Sequence, residues 1–167
     1  MGTVKTTLFP RDAQYPAANF AQYKAVSGTN FPVESLAFDA TTEETCYFNF
    51  KAVSYGSGNV TARIRWYADT GASGGVVFGA SLAAITPNTD TQDIETKAFA
   101  TEVTGSDTHL GTTNQRLHEM TIVITNLDSI AADDWVELRL ARKVSDGSDD
   151  MTGDALVTEV DIEYSDT

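Results

Sequence analysis

A chain of 167 residues, 41% hydrophobic and 21% charged, is long enough for one domain with its own core and too apolar to stay disordered. Its 24 acidic against 11 basic residues leave a net charge of −13. That argues against a nucleic-acid partner, because phosphate binding relies on lysine and arginine displacing counterions, and against an anionic membrane surface.

No apolar run approaches the ~20 residues that a membrane helix requires. Residues 1–10 lack the apolar stretch of a signal peptide, so synthesis in the cytoplasm is expected. The single cysteine, Cys46, cannot form an internal disulfide, and its place in ETCYFNF predicts a small buried hydrophobe.

Residues 1–31 show no sustained period. Pro10 and Pro16 interrupt them, and Phe9, Tyr15, Phe20, Tyr23 and Phe31 are scattered through them. A segment this aromatic is expected either to pack along the domain as an irregular strap or to cross onto a neighbouring subunit as an arm. The domain proper is expected over 32–167. Its first strand follows Pro32, in VESLAFDA. The second, over 45–53, alternates Cys46, Phe48, Phe50 and Ala52 with Tyr47, Asn49, Lys51 and Val53, the period of a half-buried strand.

The third, over 60–68, points Val60, Ala62, Ile64, Trp66 and Ala68 inward. Arg63, Arg65 and Tyr67 then form an exposed row, a local positive patch on an acidic protein. Residues 76–85 are small and apolar on both faces, which predicts a central strand or one covered by another subunit. Residues 93–100 resume an alternation. Residues 101–115 read as a polar loop carrying a solvated His109. Residues 116–125 are rich in β-branched side chains and read as a strand.

The last two strands are the most regular. Over 135–142, Trp135, Glu137 and Arg139 oppose Val136, Leu138 and Leu140. Over 156–164, Leu156, Thr158, Val160, Ile162 and Tyr164 are expected on one face. About eight strands, long loops and no amphipathic helix predict an all-β fold: an antiparallel β-sandwich, jelly-roll-like, with an irregular N-terminal arm.

The chemistry of a reaction is not visible. No nucleophile, base or metal-ligand motif is present, and two histidines with one cysteine make a zinc site improbable. The acidic loop holding Asp146, Asp149, Asp150 and Asp154 is a weak calcium candidate, since it lacks the glycine and bidentate glutamate spacing of an EF-hand. No cofactor is expected. Asp133 and Asp134 are expected to accept backbone hydrogen bonds in the turn before Trp135.

Several stretches carry a resemblance: NFAQY, FPVESLAFDATTEE, RIRWYADTGASGGVVFGASL, NLDSIAADDWVELRLAR and DGSDDMTGDALVTEVDIEY. Together they resemble β-sandwich structural proteins of tailed bacteriophages. The resemblance implies a virion protein without catalytic residues, most simply a capsid decoration (cement) protein that stabilises the shell. Its implied partners are the major capsid protein or other virion proteins, with a homo-oligomer, such as a trimer, as the working form. The contact candidates are Phe9, Pro10, Tyr15, Phe20 and Tyr23, then Arg63 and Arg65. The alternative is a fibre or baseplate module that binds host-surface glycans, with Tyr67 and Trp135 as contacts.

Overall fold

The computed structural model describes residues 2–71, 73–111 and 115–167. Among them, ten strands form two antiparallel sheets around one core. The first sheet runs β2 (Gln22–Val26), β3 (Val33–Phe38), β10 (Ala155–Ser165), β5 (Ser57–Ala68), β8 (His118–Ile124). The second runs β4 (Thr45–Lys51), β9 (Trp135–Arg142), β6 (Gly74–Ile85), β7 (Val103–His109). The expected all-β sandwich is therefore present.

The strand count differs from expectation at four places. Residues 1–31, read as irregular, contribute two strands. β1 (Thr3–Leu8) pairs with β10 from Ser165 to Val160, and β2 pairs with β3. β10 is long enough that β3 and β1 share one of its edges, β3 beside Ala155–Val157 and β1 beyond it, while β5 fills the other. Residues 103–109, read as loop, are β7. Residues 93–100, read as strand, are not one: this stretch turns at 94–96 and touches β6 through the Ala100 amide and the Leu82 carbonyl.

Between β1 and β2 the chain leaves the first sheet and crosses to the rim of the second. Gln14 and Tyr47 exchange backbone hydrogen bonds (2.8 and 2.9 Å), and the Thr45 amide donates to the Asn19 carbonyl (3.0 Å). The crossing thus occupies the outer edge of β4, which would otherwise offer unpaired backbone groups to other chains.

The core follows the alternation. Val60, Ala62, Ile64, Trp66 and Ala68 of β5 face Val136, Leu138 and Leu140 of β9 and Phe78 and Leu82 of β6, all buried. Phe38 and Phe78 join the sheets edge to face at 5.0 Å, a favoured aromatic geometry. Trp66, the expected core anchor, is fully buried, and its indole N–H donates across the core to Asp107 of β7 (3.0 Å). β6 is the central strand its composition suggested, flanked by β9 and β7. At Gly79 on this strand the Glu102 carboxylate occupies the space a Cβ would take.

Several side chains depart from their expected placement. A bulge between Val157 and Glu159 shifts the pairing of β10 with β5, and one extra residue reverses every side chain beyond it. Ala155 and Val157 therefore point into the core with Val160, Ile162 and Tyr164, while Leu156 turns to the outer face. There it meets Ala37 and Tyr67, so Tyr67 is covered rather than exposed. His109, expected in solvent, is fully buried beside Trp66 and His118, its ring 5.1 Å from that of His118.

Candidate functional site

The candidate residues divide among three places. The first is the segment of residues 9–31, made of the crossing, β2 and the turn after it. Phe9, Tyr15, Phe20, Tyr23 and Phe31 are each more than a third exposed, and the rings of Tyr15 and Phe20 lie 5.6 Å apart. No aromatic ring outside residues 9–31 is as exposed among the described residues. Pro10 does not belong to this surface: it is buried at the start of a 3-10 turn, Pro10–Asp12, which closes on hydrogen bonds between Phe9 and Asp12.

The second place is the outer face of the first sheet. Arg63 and Arg65 do stand together on β5, but not as a positive patch. β5 lies between β10 and β8, which set Glu159, Asp161, Glu163 and Glu119 beside the two guanidinium groups. Arg65 pairs with Glu159, with Asp161 (3.1 Å) and with Glu119 (3.2 Å). Arg63 pairs with Glu163 (3.3 Å) and Glu119 (3.5 Å). The carboxylates outnumber the arginines, so this face is neutral to acidic.

The third place is the outer face of the second sheet, where sequence reasoning named only Trp135. Glu137, two residues on, shares that face, between Asn49 of β4 and Ala83 of β6. Tyr47 of β4 stands on it as well. Phe99, in the segment between β6 and β7, lies near Tyr47 (centroids 5.8 Å), and the Arg139 guanidinium lies over the Phe99 ring, 5.8 Å from its centroid. Tyr47, Phe99, Trp135 and Glu137, with Gln14 and Lys97, line an open groove of about 400 Å³.

Glu137 is the unusual member. Its residue is 8% exposed, and its Oε2 has no hydrogen-bond partner among the described residues. Burial pushes its carboxyl up to about 7, because removing a carboxylate from water disfavours the charged form. Lys97, which could have neutralised it, is instead paired with Asp128 at 2.9 Å.

The calcium candidates do not converge. Asp149 is enclosed against Arg142 (2.8 Å) and also accepts from the Val77 amide (2.9 Å). Asp150 accepts from the Gly75 amide (2.6 Å), and Asp146 from the Ser148 amide (2.9 Å). Asp154 lines a separate depression of about 300 Å³ with Asp39 and Glu44. Among the described residues, no three acidic, histidine or cysteine side chains are grouped to hold a metal ion. Cys46 is fully buried, and burial raises its thiol far above the range of a nucleophile. Asp134 accepts from the Ala131 amide (2.7 Å) as expected and also from the Thr86 hydroxyl (2.7 Å), while Asp133 pairs with Lys51 (2.8 Å).

The groove could have been partly found in the sequence. Alternation already put Glu137 with Trp135, and Tyr47 with Asn49. What it could not supply was the register that sets β4, β9 and β6 side by side, or the segment that folds back to give Phe99.

No family model matches the chain, and no curated protein matches its sequence. Solved structures match in fold. The CBM36-1 domain of a multidomain xylanase from the hindgut metagenome of Trinervitermes trinervoides superposes with a TM-score of 0.50 at 8% identity, over 95% of this chain and 96% of that one. A carbohydrate-binding module CBM36 in complex with calcium and xylotriose gives 0.47 at 13% identity, over 94% and 98%. The mannan-recognising module TmCBM27 gives 0.47 at 6% identity, over 99% of both chains. At these identities the likeness concerns the β-sandwich fold alone.

Proposed function

We propose that this protein is a non-enzymatic structural module of a tailed-phage particle that works through the surface of residues 9–31, most simply as a decoration protein bound to the capsid shell. The observation that carries this reading is the gathering of exposed aromatic rings on that one segment, Phe9, Tyr15, Phe20, Tyr23 and Phe31. Rings left in water on a domain with a complete core mark a contact surface, and aromatic side chains are enriched at protein interfaces. The sequence resemblance to virion proteins names the setting. On a lattice, one modest contact per copy becomes firm attachment through multivalency. The ion-paired Arg63 and Arg65 take a smaller part than the rings.

Deleting the segment is a poor test, because it would remove β2 from the first sheet. Substituting Tyr15, Phe20, Tyr23 and Phe31 together by serine keeps the backbone pairing. The expected result is loss of attachment to particles, or of self-association in sedimentation equilibrium, with unchanged circular dichroism. Imaging the chain in an intact particle with residues 9–31 facing solvent would end this reading.

A second reading is favoured by a different observation, the groove beside Trp135. Tyr47, Phe99 and Trp135 offer apolar ring faces next to hydrogen-bonding Gln14, Lys97 and Glu137. That mixture suits a sugar, whose C–H face packs on aromatics while its hydroxyls bond at the rim. In this reading the module binds glycans of a host surface. Tyr67, buried under Leu156, is not among its contacts.

A further inference from the structure

We propose that Glu137 is the specificity residue of the Trp135 groove and selects an uncharged saccharide by donating a hydrogen bond from a protonated carboxyl at the groove floor. The proposal rests on the saccharide reading of the groove and adds the ligand class and the way binding is regulated.

The first argument is geometric. Glu137 is more than nine-tenths buried, yet it lines the groove, and its Oε2 lacks a partner among the described residues. A buried polar atom left without a hydrogen bond costs about 1–3 kcal/mol, and nothing in the fold requires an acid between Asn49 and Ala83. Its neighbours show the contrast. Asp128 across the groove wall takes Lys97, and Glu102 takes Arg139 (2.8 Å) and Lys143 (3.1 Å). Of Glu137, Asp128 and Glu102, only Glu137 has no cation paired with its carboxyl among the described residues.

The second argument concerns charge. Facing Glu137 are Glu95 and the already paired Lys97 from the wall segment, Tyr47 and the Asp133-bound Lys51 from β4, and the Glu102-bound Arg139 on its own strand. Among the described residues each of these cations is already ion-paired, and a net charge of −13 repels uronic or sialic acids before contact. A neutral sugar suffers no such penalty. Burial holds the Glu137 carboxyl near 7, so it carries its proton below neutrality and loses it above. A carboxylic acid kept neutral by an apolar site can donate a hydrogen bond, whereas its carboxylate can only accept one.

The test is calorimetric titration of the full chain with neutral xylo-, manno- and gluco-oligosaccharides of three to six units and a galacturonic acid oligomer, at pH 6 and pH 8. The expected result is binding of a neutral oligomer that weakens about tenfold from pH 6 to pH 8, the change in protonated fraction for a group near 7. Glu137→Gln, which keeps a donor that does not titrate, should bind with no pH dependence. Trp135→Ala and Tyr47→Ala should each abolish binding while the core stays folded by near-ultraviolet circular dichroism.

Binding that depends on Trp135 but is flat with pH, or tightens at pH 8, would overturn the role of Glu137 and leave the saccharide reading standing. Absence of any saccharide binding, or binding untouched by both aromatic substitutions, would overturn the saccharide reading itself. Preferential uptake of choline, tightening as pH rises, would replace the neutral sugar with an organic cation and also overturn the proposal.

Discussion

The two ends of β9 bury a charge in opposite ways. At the far end, Arg142 is fully enclosed and every arm of its guanidinium is used. Nε and Nη2 reach the Asp149 carboxylate (2.8–3.3 Å), Nη2 also reaches the Met151 carbonyl (2.9 Å), and Nη1 reaches the carbonyls of Gly153 (2.9 Å) and Phe38 (3.2 Å). The cation thereby ties the loop after β9 to the end of β3. At the near end, Glu137 is almost as deeply placed but has an oxygen with no partner among the described residues. A buried charge with all its bonds made holds a fold in one arrangement. A buried acid with a bond unmade is either a standing cost or a place reserved for something else.

Substitutions can break this contrast. The largest effect is expected at Asp149. Asp149→Ala leaves the Arg142 guanidinium buried without its counter-charge, and such losses run to about 3–5 kcal/mol. Urea unfolding should show the midpoint falling while the slope stays constant. A loss under about 1 kcal/mol would mean that water replaces the carboxylate, and the far end would be no better satisfied than the near one.

Glu137→Gln should act in the other direction. A carboxyl whose folded value is raised from 4.5 to about 7 binds its proton more tightly in the folded state than in the unfolded one. Its presence therefore makes stability fall as pH rises from about 4.5 to about 7, by on the order of 3 kcal/mol, and leaves it level above. The glutamine variant should lose that fall and be the more stable protein at pH 8. Thermal unfolding of both proteins at pH 5 and pH 8 measures the difference. Equal pH profiles would mean that Glu137 is solvated and the groove has no special acid.

The smallest effect belongs to the outer face of the first sheet. Arg65 stands among three carboxylates but is about a third exposed on its side chain. Surface pairs contribute about 0.2–1 kcal/mol each and are screened by salt. Arg65→Ala should destabilise by roughly 1 kcal/mol, less at high ionic strength. A larger, salt-independent loss would place this network with Arg142 as part of the fold's fixed frame.

Much of the scaffold was readable from the chain, for a local reason. Strand geometry sends neighbouring side chains to opposite faces, so Val60, Ala62, Ile64 and Trp66 announce a dry face whatever they pack against. The same holds for Val136, Leu138 and Leu140, and the small residues of β6 announced a strand covered on both sides. β1 and β7 are strands with few apolar residues. They exist because β10 and β6 offer open edges at the right height, and TVKTTL and VTGSDTH carry little sign of it. Residues 93–100 show the converse: their alternation is real, yet the segment serves as a wall that delivers Phe99 to Tyr47.

Local alternation thus determined the all-β character, the inward rows of β4, β5 and β9, and the pairing of Trp135 with Glu137 on one face. Only the folded chain decided that a bulge in β10 would turn Leu156 outward to cover Tyr67, that Arg63 and Arg65 would meet carboxylates, and that Glu137 would lie under a wall whose Lys97 is taken by Asp128. Those outcomes depend on register and on which distant segment arrives alongside. Such long-range contacts bring together residues far apart in the chain, and the pattern of any single strand says nothing about its neighbours.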